Sequence, residues 1–216
     1  MSVVAIVGGT GKEGLGLALR LGKAGHSIRI GSRDGARARA RAGEVRARVG
    51  GTIDGGDNAW AIAGAEVVWL CVPYGAHHET LVGLAAGLAG KILVDITVPL
   101  APPKVTRVSL PLGLSAALEA QELLGRETAV VATLHHVSSA HLSDLAHAPE
   151  GDALLCGDDE RAKEVVLGQL VELGLRGLDA GPLQNAIALE AMTPLLIHLT
   201  KRYKSAGASL RVTGIP

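Results

Sequence analysis

Phenylalanine is absent from this 216-residue chain, and tryptophan and tyrosine occur only twice each. So few flat rings exclude an aromatic platform on which nucleobases would stack. Net charge is missing too, because 21 acidic residues balance 21 basic ones; without a broad positive field, nucleic acid is excluded as a partner. No apolar run approaches the roughly 20 residues of a membrane-spanning helix, although 48% of the residues are apolar. The opening run "VVAIVGG" has no basic leader and no small-residue cleavage site before it, so a cytoplasmic protein with no membrane partner is expected. Cys71 and Cys156 sit in "VVWLCVP" and "DALLCGD", at neither metal-ligand nor redox spacing, and read as small buried hydrophobes. What is left is one sizeable domain, with at most a small appendage, that binds a small neutral or anionic molecule.

Short β-branched runs alternate with helical stretches, the rhythm of parallel strands joined by crossover helices. The strands are predicted in "SVVAIVG", in residues 26–32, weakly in "GTIDG" near 52, and in 66–73, 91–99 and 128–136, with two more in "DALLCG" and "LRGLDAGP". Four of them are almost wholly apolar, as central strands covered on both faces must be. The fold class is therefore α/β: a Rossmann-type, doubly wound, mostly parallel sheet with extra C-terminal strands and a closing C-terminal helix. The first helix carries Leu15, Ala18, Leu19 and Gly22 on its apolar face, with Lys12 and Arg20 off it, and Gly25 ends it. Residues 97–115 hold four of the nine prolines and read as an ordered crossing strap. Residues 183–203 read as the closing helix, kinked at Pro194. Its apolar positions exceed one stripe, which predicts packing against a second chain as well and hence a homodimer.

The stretch "GGTGKEG" places Gly9, Gly11 and Gly14 in a GxGxxG spacing between a strand and a helix, where free backbone N–H groups attract a pyrophosphate. That spacing alone also suits a mere tight turn. The end of the second strand decides between them. A binder of NAD usually carries an acidic residue there, about 20 residues on, for the ribose 2′-hydroxyl. This chain has "IGSRDGAR" instead, so Ser32, Arg33 and Arg37 offer a hydroxyl and two guanidinium groups to a 2′-phosphate. NADP is the expected cofactor. Asp34 reads as the N-cap of the next helix, and Arg39, Arg46 and Arg48 as its solvated face.

The segments "IVGGTGKEGLGLALRLGKAGH", "IGSRD", "CVPYGAHHETL", "VVATLHHV", "LLCGDD" and "LDAGPLQNAIALEAMTPLLI" together resemble the coenzyme F420-dependent NADP oxidoreductases, in order and over nearly the whole chain. The resemblance implies an enzyme that transfers a hydride, reversibly, between NADP and the deazaflavin coenzyme F420 as second substrate. It implies that Gly9, Thr10, Gly11, Gly14, Ser32, Arg33 and Arg37 surround the dinucleotide's phosphates, with Arg37 where the family often has lysine. Val72 and Pro73 then flank the ribose and nicotinamide, and His135 and Val137 border the deazaflavin pocket. Residues 1–180 form the NADP-binding domain with added strands, and residues 181–216 form a small helical segment that contacts the partner chain or the cofactor pocket. The second histidine, His136, and the proline-rich strap depart from the family pattern.

Hydride transfer between two planar carriers needs no nucleophile and no metal, so positioning is the protein's main device. His135 is the candidate catalytic residue, as a histidine near neutral pKa that orients or protonates the deazaflavin ring; a strand-end histidine satisfied by backbone is the other reading. The cluster "LHHVSSAHLSDLAH" is read as no metal site, because His135 and His136 on a strand would point to opposite faces. His77 and His78 read as surface residues. The run "KRYK", Lys201 to Lys204, could meet the coenzyme's anionic tail. Two rivals stay open: an NADP-dependent reductase of another small substrate or flavin, against which "GPLQNAIALEAM" offers no lysine proton donor, and a non-catalytic NADP-binding module.

Overall fold

A computed structural model describes residues 2–215. Its first half alternates strictly: β1 (Val3–Val7), α1 (Lys12–Lys23), β2 (Ser27–Ser32), α2 (Gly35–Val49), β3 (Ile53–Asp57), α3 (Asn58–Ile62), β4 (Val67–Leu70), α4 (Tyr74–Leu88) and β5 (Ile92–Asp95). The proline-rich strap then leads to α5 (Ala116–Leu124), β6 (Ala129–Thr133), α6 (Ser139–Ser143), β7 (Asp152–Gly157), α7 (Glu160–Glu172), β8 (Arg176–Asp179) and the long α8 (Ala186–Tyr203). All the strands form one sheet in the order β3-β2-β1-β4-β5-β6-β7-β8. Among the described residues only the β6–β7 pairing is antiparallel, so the doubly wound, mostly parallel sheet expected from the sequence is present.

Alternation along β1 separates the two cores. Val4 and Ile6 face a layer containing Leu17, Leu21 and Val45, whereas Ala5 and Val7 face Leu81, Leu88 and Ala120; successive strand side chains point to opposite sides, so a strand buried on both must be apolar throughout. Trp69 on β4 is fully enclosed and its indole N–H donates to Gln169 Oε1 of α7 at 2.9 Å, which supplies the partner a buried indole needs.

The strands are shorter than their apolar runs. β4 stops at Leu70, β5 at Asp95 and β6 at Thr133, because the residues beyond turn away into loops at the carboxyl edge of the sheet. Arg20 also differs from the expectation of a residue off the buried face. It is 9% exposed because α6 packs on α1 so closely that a Cβ on Gly16 would lie 2.6 Å from Leu142 Cβ. Asp34 caps α2 as expected, accepting from the N–H groups of Ala36 (2.9 Å) and Arg37 (3.1 Å). Pro194 lies within α8.

Candidate active site

The strand order reverses between β1 and β4, and a crevice opens at the carboxyl ends of the strands beside such a reversal. There the protein has a cleft of about 690 Å³. Segments immediately beyond the parallel strands line it: Gly8, Thr10 and Gly11 after β1, Ser32 and Arg33 at the end of β2, Asn58 after β3, Cys71 to Pro73 after β4, Ile96 to Val98 after β5, and Leu134 to Ser139 after β6. Thr193, Leu196, Ile197, Thr200 and Lys201 of α8, with Ala206, Gly207 and Ala208 beyond it, complete the wall.

One end of the cleft is built of backbone. Gly8 has φ +75°, a conformation open to glycine, and a side chain there would strike the Cys71 carbonyl. A Cβ on Gly14 would lie 2.5 Å from Gly9 Cα, and one on Gly9 would lie 2.8 Å from the Ile6 carbonyl oxygen. Both glycines therefore shape the turn rather than line the cleft. Gly11 occupies the N-cap of α1 with no side-chain cap, so N–H groups of the first turn stay available to an anion. Ser32, Arg33 and Arg37 line the same end, with Arg33 and Arg37 exposed. The Asp34 carboxylate is committed to the α2 cap. Arg41 also reaches this end, donating to the Thr10 carbonyl at 3.5 Å; no local sequence signal sets it apart from the other arginines of α2.

The other end is built of side chains. Leu134 has φ +63° and turns the chain, so His135 and His136 lie in a turn beyond β6 rather than on a strand. They do not point to opposite faces of the sheet: both are buried and both line the cleft. His136 Nε2 accepts the Leu154 N–H at 2.9 Å, so the proton of the neutral ring sits on Nδ1, which has no partner. Neither ring nitrogen of His135 makes a hydrogen bond of normal geometry among the described residues. Burial lowers the pKa of both rings, that of His135 to about 4 although Asp95 and the Thr97 backbone oppose the shift. The expectation of a histidine near neutral pKa is therefore corrected, because desolvation outweighs the distant carboxylate.

Two clamps hold this end. Arg20 donates to the carbonyls of Leu142 (2.8 Å), His141 (2.9 Å), His147 (2.8 Å), Asp144 and Leu173, fixing the loop around α6 whose Ser138, Ser139 and Leu142 line the cleft. Glu190 of α8 is 2% exposed and accepts the N–H groups of Ala116 (2.7 Å) and Ala117 (3.1 Å) at the start of α5; burial pushes its carboxyl up to about 8 against those bonds. Thr193 donates to the His135 carbonyl, joining α8 to the histidine turn.

Thr10, Gly11, Ser32, Arg33, Arg37, Val72, Pro73, His135 and Val137 thus border one continuous cleft. Cys71 also borders it, half-buried, with burial raising its thiol pKa well above the ordinary value. His77 is not the surface residue its sequence position suggests. It is 2% exposed and bonds Asp95, while His78 is exposed. The α8 contribution had a legible signal, since Thr193, Ile197 and Thr200 recur at one-turn and two-turn spacing. Asn58, Thr97 and residues 206–208 had none beyond their place after a strand or helix. Among the described residues no group of three or more His, Cys, Asp or Glu is arranged to hold a metal.

Comparison with known proteins adds to the geometry. Residues 3–99 match the family described as NADP oxidoreductase, coenzyme F420-dependent. The chain is 40% identical to the F420-dependent NADP reductase of Methanocaldococcus jannaschii, with 98% of each chain covered. It is 36% identical to the F420-dependent NADP reductase of Methanothermobacter marburgensis, covering 99% of each. A crystal structure from Arthrobacter sp. FB24, provisionally described as an F420-dependent NADP reductase, superposes with a TM-score of 0.81 at 27% identity and 99% coverage of both chains.

Proposed function

The chain belongs to the coenzyme F420-dependent NADP oxidoreductase family, and we propose on that basis that it transfers a hydride reversibly between NADP and coenzyme F420. The observation that carries this reading is a single cleft whose two ends differ in chemistry. One end offers backbone N–H groups and cationic side chains, and the other offers half-buried apolar walls with two enclosed histidines.

The first end suits NADP. Side chains at Gly9 or Gly14 would collide with backbone, so the glycine turn can lie close under a pyrophosphate, with Thr10 and Gly11 beside it. Ser32, Arg33 and Arg37 supply donors to a 2′-phosphate, and Val72 and Pro73 carry the wall toward the nicotinamide. The second end suits the deazaflavin, bordered by His135, Val137, Leu196 and Ile197. The unpartnered nitrogens of His135 and His136 are polar groups awaiting a ligand's hydrogen bonds, since buried polar groups left unpaired are costly.

When bound, the two carriers supply the hydride chemistry itself. The chain aligns them. His135 stays neutral across the physiological range, so its part is to orient the acceptor ring through a hydrogen bond, while the proton that accompanies the hydride exchanges with solvent. In this reading residues 1–180 hold NADP, and residues 181–216 close the deazaflavin half.

Two further elements belong to the same proposal. Leu195, Leu199 and Tyr203 expose one side of α8, and that side supports a homodimer, for which light scattering at one monomer mass would be contrary. The thiols of Cys71 and Cys156 are free, which suits the reducing cytoplasm.

Turnover is the test. Incubation with NADPH and oxidised coenzyme F420 should bleach the deazaflavin's visible absorbance, and the reverse pair should restore it. Oxidation of NADPH by a flavin or an imine, with coenzyme F420 inert, would overturn the assignment.

A further inference from the structure

The chain beyond α8 is tied down at two places. Near its start the Ala208 N–H donates to Thr200 Oγ1 at 2.8 Å. Near its end, the Asp152 N–H donates to the Leu210 carbonyl at 2.8 Å, and the Val212 N–H donates to the Asp152 carboxylate at 2.7 Å. Arg176 donates to that carboxylate through Nε (3.0 Å) and Nη2 (2.7 Å), and to the Val212 carbonyl at 2.6 Å. Asp152 is 3% exposed, and a fork-to-fork guanidinium–carboxylate pair of this kind fixes orientation as well as charge.

Ala206, Gly207 and Ala208, which line the cleft, lead into the first tie, and one residue, Ser209, separates that tie from the second. They face the histidine turn at close range. A Cβ on Gly207 would stand 2.6 Å from both Cβ and Oγ of Ser138. At the far tie a Cβ on Gly151 would stand 2.6 Å from the Leu210 carbonyl oxygen, so the tail lies flat on the edge of the domain there too. Neither tie touches the glycine turn, Ser32, Arg33 or Arg37.

We propose that Asp152 and Arg176 are positioning residues that hold residues 206–212 as a fixed wall of the cleft, and that this wall sets the affinity for the second substrate alone. The inference rests on the assignment of that half of the cleft to coenzyme F420. Small residues on the wall leave the width that a flat tricyclic ring needs, and the clasp keeps that width constant between turnovers.

Three full-length variants test it, each assayed for the KM of coenzyme F420, the KM of NADP, and tryptic cleavage after Arg211. Arg176→Gln loosens the clasp: the coenzyme's KM should rise about tenfold with that of NADP within about twofold, and release of residues 212–216 should accelerate. Gly207→Ala narrows the wall without touching the clasp, and should raise the same KM. Adding Ser138→Gly removes the atoms the new methyl would strike, and should bring that KM back toward the unaltered value. Such a rescue is not expected of mere destabilisation. Equal changes in both KM values, or faster release of the tail with the coenzyme's KM unmoved, would overturn the proposal. An unaltered chain that fails to turn over coenzyme F420 overturns the functional reading and with it the wall's role; the tryptic comparison separates that result from failure of the clasp itself.

Discussion

His77 Nε2 donates to Asp95 Oδ2 at 2.7 Å, with His77 2% and Asp95 0% exposed, so a titratable pair is sealed where α4 begins and β5 ends. The other carboxylate oxygen accepts the N–H of Thr97 at 2.9 Å, and Thr97 lines the cleft. Burial opposes both charges, yet each is favoured by the other: His77 is raised above its ordinary 6.5 and Asp95 lowered below its ordinary 3.8. The ring also stacks on Tyr74, whose hydroxyl donates to Glu119 at 2.9 Å. The pair thus links the cleft floor to α5.

Stability should depend on pH through this pair. A histidine whose folded pKa is raised contributes fully below its unfolded value of 6.5, and that contribution is lost as pH rises through the folded value. Asp95, whose pKa is depressed, contributes above its unfolded value and loses this as pH falls through the folded one. His77→Ala strands a buried carboxylate and should cost about 3–5 kcal/mol in urea unfolding near pH 6. The deficit should shrink in alkali; an equal deficit at every pH would refute the linkage.

Cofactor choice is predicted to reside in Ser32 and Arg33. Replacing both with aspartate should raise the KM for NADP by about a hundredfold, as expected from the loss of two charge-assisted hydrogen bonds, and leave that for NAD much less changed. Ser32 is half-buried and Arg33 exposed, so the melting temperature should hardly move. Parallel losses for both cofactors would mean that the 2′-phosphate binds elsewhere.

The glycines of the turn should separate into two kinds. Gly14→Ala forces a methyl onto Gly9 and should destabilise the fold by about 1–3 kcal/mol, read from denaturant midpoints. At Gly11 a Cβ would meet only the Gly8 carbonyl oxygen at 3.4 Å, so Gly11→Ala should keep the midpoint and weaken NADP binding measured by fluorescence titration. The reverse ranking would show that the turn is held by something other than backbone contact.

His135 should leave no mark near pH 6.5. With its pKa pushed down to about 4 by burial, kcat/KM for coenzyme F420 should show no ionisation of His135 between pH 5 and 8, and His135→Asn should lower it about tenfold without shifting either limb. An acid limb near 6.5 that vanishes in His135→Asn would return the residue to a proton-transfer role.

The strand rhythm, the glycine turn and the donors ending β2 were legible in the sequence. Each is written in neighbouring residues: alternation of apolar side chains, a backbone needing glycine at fixed spacing, and a helix capped by Asp34. Strand ends were overrun, because an apolar run continues into the cleft-lining loop without a change of composition, as "VVATLHHV" does past Thr133.

Sequence alone therefore determined the sheet and the glycine turn, because those depend on local hydrogen bonding and periodicity, and the resemblance of its segments pointed to the family. The tertiary structure alone decided that Arg20 and His77 are buried, that His135 and His136 share one cleft, and that residues 206–208 wall it. Burial and protonation belong to a side chain's spatial neighbours, and those neighbours lie up to 153 positions away along the chain, as Arg20 and Leu173 do.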